Sequence, residues 1–500
     1  MKLKYYLLVL FLITTPALSE AQYLNRVYDF DTTLDFGFNV FIKSNGNYSV
    51  IGSAKKSTTK ITTMEIDPTG NKLNAKSILE SESFSFFRGN AGALKKIQGD
   101  YIMPIEGVRG KMGGDIHFSG LSRIKENGDT LWVRWYPDTL VHQESAFNCN
   151  VMPDGGFLLS SGRYFAGGVE NMKGVLRRVD NAGNVLWMTV HSKASGFGRC
   201  EYIGDGKILV GSADVVPVWQ PGGGYFYYNY PWFMIYDTLG NLVKDTLYGG
   251  KYVGGGSIFK DKNGGYIHYG LIDTIAVDPL SDYHFASYLA HLDDSFRITW
   301  RRTFNFKKPK GFKYINNVKQ LRDSSYLIVG DFGHSLGWAA KIDRNGWTIW
   351  DNYYLYDPDT TYPWSYLVDA AEGADGRIVM TGSTDDYQNI TTRGQDVWVV
   401  VVDSMGCIIP NCAPTSVNEI SKVETAIQIY PNPTTGAFTI NTSEKGMLFI
   451  TNLQGQTILT KELKKGKNEL NMPEVAAGVY IARFTNSGGG MNVARLVYQW

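Results

Sequence analysis

One short string in this sequence has the residue types and spacing of a serine nucleophile. Residues 333–337 read Gly-His-Ser-Leu-Gly and match the Gly-x-Ser-x-Gly pattern. In that pattern a sharp turn from a strand into a helix lifts the serine above a parallel sheet. Here residues 338–343 continue as a second strand, and no helical periodicity follows the string. We therefore predict a loop between antiparallel strands and assign no catalytic residue.

Other signals for catalysis or metal binding are weaker still. Seven histidines are scattered along the chain, and no His-Glu-x-x-His pair is present. The loop carboxylates lack the ordered spacing of an EF-hand, so we predict no metal and no cofactor, with calcium left open. A carboxylate pair that cleaves glycosidic bonds meets in space and leaves no linear pattern. A polysaccharide hydrolase or lyase therefore stays an alternative function.

Binding chemistry is concentrated in an aromatic run at residues 219–232, which surrounds the string Gln-Pro-Gly-Gly-Gly. Flat rings interleaved with hydrogen-bonding groups suit recognition of a glycan or a peptide. The alternative is that these rings pack against their own loop. Together with polar residues of two later loops, the run predicts a ligand-binding face made of Trp219, Tyr225, Tyr227, Tyr228, Tyr230, Trp232, Asp282, His284 and Tyr387.

A repeat of nearly constant length positions these loops. An Asp-x-x-Gly turn, often followed by Trp, recurs with first positions 67, 125, 180, 237, 293, 343 and 403. A second turn, mostly Asx-Gly, precedes an apolar strand in each unit. Each unit thus reads as a four-stranded antiparallel meander, the blade of a β-propeller. The fold class is predicted to be all-β, with a seven-bladed propeller, or six or eight blades if one repeat is misread.

The chain ends and the cysteines complete this architecture. Residues 23–30 alternate without a blade of their own and are expected to close the ring by pairing with the last blade. Beside that junction, Cys407 and Cys412 are close enough in sequence for a local disulfide in an oxidising compartment. Cys149 and Cys200 are expected to face each other on adjacent blades as small buried side chains.

Composition and the N-terminus indicate an exported protein. Lys and Arg number 49 against 48 Asp and Glu, so no global field recruits nucleic acid. Positive residues, a short apolar stretch at 5–13 and a small-x-small site form a secretory signal, with cleavage predicted between Ala21 and Gln22. No run approaches the roughly 18 apolar residues that a transmembrane helix needs. We therefore predict no transmembrane segment.

The C-terminal residues carry three motifs in a fixed order. They are Tyr-Pro-Asn-Pro-Thr-Thr-Gly at 430–436, Ala-Gly-Val-Tyr at 477–480 and an apolar strand at 493–497. This order resembles the sorting domain of type IX secretion cargo in Bacteroidetes. The matching residues are Tyr430, Pro431, Asn432, Pro433, Gly436, Gly478, Val479, Tyr480, Arg495, Leu496 and Val497.

That resemblance implies a partner and a destination. The tail would be recognised by the type IX translocon after the chain reaches the periplasm. The cargo would then be released or attached to the cell surface. The chain departs from the family pattern at its end, where residues 498–500 follow the apolar strand.

These observations predict four segments: a signal peptide (1–21), a β-propeller (22–412), a linker (413–426) and a β-sandwich sorting domain (427–500). The predicted function is a secreted or cell-surface module for binding or adhesion, with a glycan or a protein as ligand. The alternatives are the hydrolase or lyase above and a structural component of the cell surface.

Overall fold

The computed structural model describes residues 23–30, 34–55, 59–81, 93–109, 116–137, 143–164, 172–219, 225–248, 252–273, 285–304, 312–356, 363–386, 395–409, 427–452, 457–473, 475–486 and 491–499. Within these ranges every regular element is a β-strand, which confirms the all-β class. None of the described segments is a helix long and apolar enough to cross a membrane. The chain divides into two compact units, Met1–Pro414 and Thr415–Trp500.

The first unit begins with strand β1 (Asn25–Tyr28) and continues as antiparallel meanders, numbered here in chain order. Meander 1 contains β2 (Leu34–Ile42), β3 (Tyr48–Lys55), β4 (Thr59–Ile66) and β5 (Lys72–Ser81). Meander 2 contains β6 (Lys95–Ile97), β7 (Asp100–Arg109), β8 (Ile116–Lys125) and β9 (Thr130–Trp135). Meander 3 contains β10 (Gln143–Val151), β11 (Phe157–Tyr164), β12 (Lys173–Val179) and β13 (Val185–His191).

The later meanders follow the same order. Meander 4 contains β14 (Phe197–Gly204), β15 (Lys207–Trp219), β16 (Tyr225–Asp237) and β17 (Leu242–Leu247). Meander 5 contains β18 (Tyr252–Lys260), β19 (Tyr266–Asp273), β20 (Phe285–Leu292) and β21 (Ile298–Phe304). Meander 6 contains β22 (Lys313–Gln320), β23 (Tyr326–Phe332), β24 (Leu336–Ile342) and β25 (Thr348–Tyr354). Meander 7 contains β26 (Pro363–Glu372), β27 (Ile378–Asp386) and β28 (Asp396–Val402), and β1 supplies its fourth strand.

The Asp-x-x-Gly turns join the third and fourth strands of the meanders. In the third meander the Oδ1 atom of Asp180 accepts hydrogen bonds from the backbone N–H groups of Ala182 and Asn184. The side chain and backbone of Asn184 supply the main bonds that hold the pKa of Asp180 below its ordinary value. Gly183 lies in the left-handed region with φ of 82°, where a Cβ would add strain.

The same turns lock each meander to the one before it. Trp187 lies on the outermost strand of meander 3, and its Nε1–H donates to Thr238 O in the turn of meander 4 at 2.8 Å. A Cβ at Gly240 would lie 2.9 Å from the Trp187 ring, so only glycine lets the indole approach. Equivalent contacts join Trp132 to Gly183, Trp300 to Gly346 and Trp350 to Gly406. These tryptophans are wedges between sheets.

A buried apolar cluster lies between every pair of successive meanders. A further cluster joins the last meander to the first and combines Val40 and Val50 with Val379 and Val397. Strand β1 makes this junction, because it pairs with β28 along the register Val27–Trp398. The predicted pairing of residues 23–30 with the last sheet is therefore present.

Buried carboxylates bond across two of these junctions. Glu144 forms ion pairs with Arg177 and Arg163 of its own meander 3 and accepts a hydrogen bond from the Ser119 hydroxyl of meander 2. Burial by itself raises the pKa of Glu144, but the bonds and charge of Arg177 outweigh it and lower the pKa to about 2. The carboxylate therefore stays ionised in the core.

Asp369 on β26 ties meanders 6, 7 and 1 together at their innermost strands. Its fully buried carboxylate accepts hydrogen bonds from Asn39 Nδ2 and Val40 N of β2, each at 3.1 Å. From β22, Asn317 Nδ2 donates a hydrogen bond to it at 2.9 Å, and the Lys319 ammonium forms an ion pair with it at 2.6 Å. One side chain thus links three adjacent sheets.

The second unit consists of two packed sheets. Its strands are β29 (Gln428–Tyr430), β30 (Ala437–Thr442), β31 (Gly446–Thr451), β32 (Thr457–Leu463), β33 (Gly466–Asn471), β34 (Gly478–Asn486) and β35 (Met491–Tyr498). One sheet has the order β29-β30-β33 and the other β32-β31-β34-β35. Phe438 and Ile440 of the first sheet share a buried cluster with Leu448 and Phe484 of the second. The unit is the predicted small sandwich.

Replacing Asp369 with Asn is expected to lower the free energy of unfolding of the first unit by about 3 kcal/mol, because the Lys319 ammonium and the buried amide donors lose their carboxylate. Urea unfolding followed by tryptophan fluorescence measures this change. Every tryptophan except Trp500 precedes the second unit, so the signal reports on the first.

Asp375→Asn is the matched control. Asp375 forms an exposed ion pair with Arg377, and Asn can still accept the bond from Arg377 N. Its expected cost is below about 0.5 kcal/mol, as for other surface pairs. Equal losses in the two variants would show that Asp369 does not hold the three sheets together.

Candidate functional site

A cleft of about 260 Å³ opens where meanders 6, 7 and 1 meet. The innermost strands β2, β22 and β26 supply most of its wall, and the turn between β23 and β24 supplies one rim. The described residues that line the cleft are Phe36, Gly37, Phe38, Tyr314, Asn316, Asp331, His334, Trp364, Tyr366, Val368, Asp385 and Gln395. Five aromatic rings therefore surround two carboxylates, one imidazole and two amides.

Hydrogen bonds between the sheets fix the polar wall of the cleft. Asn316 Nδ2 donates to Leu367 O across the junction of meanders 6 and 7 at 2.9 Å. Gln395 Nε2 donates to the Tyr366 hydroxyl at 2.8 Å, and Gln395 O accepts the backbone N–H of Asp35. The cleft wall is thus held by hydrogen bonds between neighbouring sheets.

Asp331 and His334 form a pair at the rim. His334 lies in the turn with φ of 59°, and its backbone N–H donates to Asp331 Oδ1 at 2.9 Å. The imidazole Nδ1 is 3.1 Å from the same oxygen. The hydrogen bond with Asp331 raises the pKa of His334 above its ordinary value, although partial burial opposes this. The pair therefore favours an imidazolium beside a carboxylate.

The aromatic wall offers both flat faces and hydroxyl groups. Trp364 is 42% exposed, and its ring centroid lies 6.3 Å from that of His334. The rings of Phe36 and Phe38 are parallel, with centroids 6.3 Å apart. Burial raises the pKa of Tyr314, so its hydroxyl stays protonated and able to donate. Such a surface can stack on an apolar face and hydrogen-bond its edges.

The face predicted from the aromatic run differs from this cleft. Strands β15 and β16 pair continuously from Lys207–Asp237 to Trp219–Tyr225, so most of the run is a hairpin strand and not a loop. Trp219 lies at the end of that hairpin and is 61% exposed. Tyr228 and Tyr230 are half-buried.

The prediction that Trp232 is a ligand-binding residue is wrong. Its side chain is buried, its Nε1–H donates to Asp245 Oδ2 at 2.8 Å, and its ring packs edge-on against His191. It belongs to the core between meanders 3 and 4, because the strand continues beyond the expected loop. Asp282, His284 and Tyr387 lie outside the described residues, as do the side chains of Tyr225 and Tyr227.

The Gly-x-Ser-x-Gly string is the turn between β23 and β24, two antiparallel strands, as predicted. Ser335 Oγ donates to Gly333 O and has no helix behind it among the described residues. Its neighbour His334, however, lines the cleft. The pair that His334 forms with Asp331 is not predicted from the sequence. The signal was an Asp three residues before a His, at the end of a second strand where functional loops begin.

Three carboxylates, Asp29, Asp35 and Asp396, lie together near the junction made by β1. Their oxygens lie within 4.8 Å of one another, close enough to approach one cation. Asp35 Oδ2 also accepts the backbone N–H of Phe30 at 2.7 Å. This bond gives the cluster a structural role in the chain reversal before β2.

The cysteines fall into two classes. Cys407 is disulfide-bonded, and its expected partner Cys412 lies outside the described residues. Cys149 and Cys200 are free and fully buried, and burial raises the pKa of both thiols. Neither is therefore a reactive thiolate. The predicted cleavage site at Ala21 and Gln22 also lies outside the described residues.

The first and last motifs of the second unit meet in space. Asn432 Nδ2 donates to Arg495 O at 2.6 Å, and Asn432 Oδ1 accepts Val497 N at 2.8 Å. Asn432 lies between Pro431 and Pro433, whose preceding peptide bonds are cis. Leu496 is buried in the core of the sandwich. The Pro-Asn-Pro segment therefore lies along β35.

The middle motif occupies the strand beside β35. Tyr480 is buried, and its hydroxyl donates to Ala476 O at 2.5 Å. Val479 pairs with Val497 and is partly exposed, and Gly478 has free space where a Cβ would lie. Gly436 N donates to Thr434 Oγ1 in the turn before β30. The second and third motifs thus lie on neighbouring strands of one sheet, and the first motif begins on β29 of the other.

Residues 428–499 match the family model of the secretion system C-terminal sorting domain. This match implies export by the type IX system to the outside of the cell or its outer surface. No curated protein sequence matches the chain.

Solved structures similar to the chain include a variant of the Synechocystis apocarotenoid oxygenase, with a TM-score of 0.37 and 9% identity over 63% of this chain and 74% of that chain. The Penicillium chrysogenum α-L-arabinanase has a TM-score of 0.36 and 11% identity over 63% and 93%. The GH93 α-L-arabinofuranosidase of Fusarium graminearum has a TM-score of 0.36 and 9% identity over 76% and 98%. Similarities this low carry no argument about the activity of the chain.

The NMR titration midpoint of His334 is expected to lie above 6.5 and to fall in Asp331→Asn. Because the folded pKa is raised, the pair contributes stability that is fully present below about pH 6.5 and is lost as the pH rises through the folded pKa. His191 serves as the internal control, since burial lowers its pKa independently of Asp331. An unchanged His334 midpoint in the variant would show that Asp331 does not stabilise the protonated imidazole of His334.

Proposed function

We propose that the first unit is a closed seven-bladed β-propeller that the type IX system exports and that binds a glycan in the cleft between meanders 6, 7 and 1. The propeller is supported by the repeated four-stranded meanders and by the apolar cluster that joins meander 7 to meander 1. The proposed route begins with removal of residues 1–21 in export to the periplasm and continues through the translocon, which reads the sorting domain.

The observation that carries the glycan proposal is the composition of the cleft wall. Trp364, Phe36 and Phe38 offer flat apolar faces, and Asn316 and Gln395 offer amide groups beside them. The faces of a pyranose ring are apolar and its edges carry hydroxyls, so it matches both kinds of surface. A protein ligand would need a much wider surface than a cleft of this size, roughly 800 Å² per partner.

A hydrolase or lyase is the second candidate, favoured by Asp331 and Asp385 in the same cleft. The pairing of His334 with Asp331 keeps that carboxyl engaged, which suits ligand positioning better than proton transfer.

Trp219 at the exposed hairpin end stays a proposal for a second contact with an extended ligand. The structural surface component is the remaining alternative, and it predicts no affinity for free glycans.

The exported protein is expected to retain at least one glycan of a glycan array without cleaving it. Trp364→Ala should weaken that binding at least about tenfold, equal to 1.4 kcal/mol, because it removes the exposed stacking face. Trp347→Ala is the control, since Trp347 follows the Asp343–Gly346 turn and does not line the cleft. Analysis of the same sugars for new reducing ends distinguishes binding from hydrolysis. Equal glycan retention by the Trp364→Ala variant would show that the glycan binds outside the cleft.

Truncation after residue 426 tests the export route separately. The truncated chain is expected to accumulate in the periplasm, because it lacks the domain that matches the sorting family. Immunoblots of periplasm, surface and medium measure its distribution. Asn432→Ala is expected to reduce export in part, since the side chain makes both bonds to β35. Surface delivery of the truncated chain would refute the role of the tail.

A further inference from the structure

A β-bulge at the same place in three innermost strands shapes the wall of the cleft. Phe38 of β2, Asn316 of β22 and Val368 of β26 are each the extra residue, which pairs with no residue of the second strand. All three line the cleft. A bulge re-aims the side chain of its extra residue, so the backbone sets the position of these side chains. Asn316 is the polar one of the three.

A glycine on the second strand makes each bulge possible. In meander 6 it is Gly330, and a Cβ there would lie 1.8 Å from Tyr314 O. Gly52 and Gly382 approach the backbone of the innermost strand in the same way in meanders 1 and 7. A backbone oxygen cannot move out of such a contact unless its strand shifts, so a larger residue does not fit. The bulge that carries Asn316 is therefore built into the sheet.

The hydrogen bond that Asn316 makes fixes the orientation of its amide. Nδ2 donates to Leu367 O at 2.9 Å, and a carbonyl oxygen only accepts, so the nitrogen must face Leu367. No described residue donates a hydrogen bond to Asn316 Oδ1, and this atom is not enclosed. The residue is half-buried and lines the cleft. The amide is thus anchored through its nitrogen and presents its oxygen as an acceptor.

We infer that Asn316 determines ligand specificity by accepting a hydrogen bond from a sugar hydroxyl, so that the cleft selects glycans whose stacked sugar has an unsubstituted hydroxyl. This inference rests on the proposed function and specifies its ligand. A hydroxyl donates and accepts, whereas an O-methyl or O-acyl group only accepts. A substituted sugar would leave the Asn316 oxygen without a donor, and a site built to hydrogen-bond a hydroxyl rejects a ligand that lacks it.

Calorimetric titration of the exported full-length protein with the hexasaccharides of glucose, mannose, galactose and xylose tests this inference. Each is used unsubstituted and after complete O-methylation, which removes every hydroxyl donor. At least one unsubstituted hexasaccharide is expected to bind, and its O-methylated form is expected to bind at least about tenfold more weakly. Equal affinity of the two forms would overturn the inference, because the cleft would then need no donor from the sugar.

Two substitutions at one position separate the two groups of the amide. Asn316→Ala removes the acceptor and should weaken binding of that unsubstituted hexasaccharide about tenfold. Asn316→Asp keeps an oxygen on the cleft side and loses the nitrogen, so its affinity should stay within about threefold of that of the unchanged protein. Equal losses in the two variants would show that the oxygen is not the group that matters, and would overturn the inference.

Asn352→Ala is the matched control for the structural bond. Asn352 Nδ2 donates to Gly406 O at 2.9 Å across the same junction of meanders 6 and 7, but Asn352 is not among the described residues that line the cleft. The two alanine variants should therefore lose similar thermal stability, and Asn352→Ala should keep its affinity. A loss of affinity as large as that of Asn316→Ala would assign both effects to sheet packing and overturn the inference.

The inference and the proposed function fail in different ways. If Trp364→Ala abolishes binding and Asn316→Ala leaves it intact, the glycan site stands without the selection for a hydroxyl. If an array glycan binds in place of the four hexasaccharides, the Asn316 variants are compared on that glycan with the same expected losses. If none of the four and no array glycan binds, the inference falls together with the proposed function.

Discussion

The whole first unit depends on burying both faces of each four-stranded sheet. A single meander has apolar residues on both sides, so it needs a neighbour on each side to remove them from water. Each fully buried aliphatic side chain contributes about 1.5–3 kcal/mol, and the clusters between meanders contain several. An open row of such sheets would leave two apolar faces exposed. The pairing of β1 with β28 and the apolar cluster between meanders 7 and 1 cover these two faces.

The tryptophan–glycine contacts are the local form of the same constraint. The turn of one sheet packs against the outermost strand of the sheet before it. The glycine carbonyl of that turn accepts a hydrogen bond from a side chain of that strand. Tyr354 donates to Gly406 O, Thr189 to Gly240 O and Tyr28 to Gly70 O. The bond from Tyr28 shows that β1 packs against the turn of meander 1. The outermost strands of other meanders pack against the next turn in the same way. In meander 5 Phe296 takes the glycine position with φ of 64°, and Lys244 lies over its ring.

The cleft lies where this packing leaves space between three sheets. It is lined by strands of meanders 6, 7 and 1, which the carboxylate of Asp369 also joins. The innermost strands thus carry Asn316, Tyr366 and Phe36, and the second strands with the turn after β23 carry Asp331, His334 and Asp385. The sorting unit is built on different contacts, in which Asn432 joins the first motif to the last strand. Each unit therefore has a core of its own.

The all-β class, the order of strands in each meander, both sets of turns and the sorting domain can all be predicted from sequence alone. These features depend on neighbours within about ten residues, where glycine and Asx at fixed offsets dictate the backbone. The sequence did not locate the cleft, because Phe36, Asp331 and Trp364 are far apart in the chain and meet only when meanders 6, 7 and 1 pack. The aromatic run at 219–232 misled for the converse reason, since its composition resembles a binding loop. Only strand pairing and burial, which depend on distant residues, decided that Trp232 belongs to the core and His334 to the cleft.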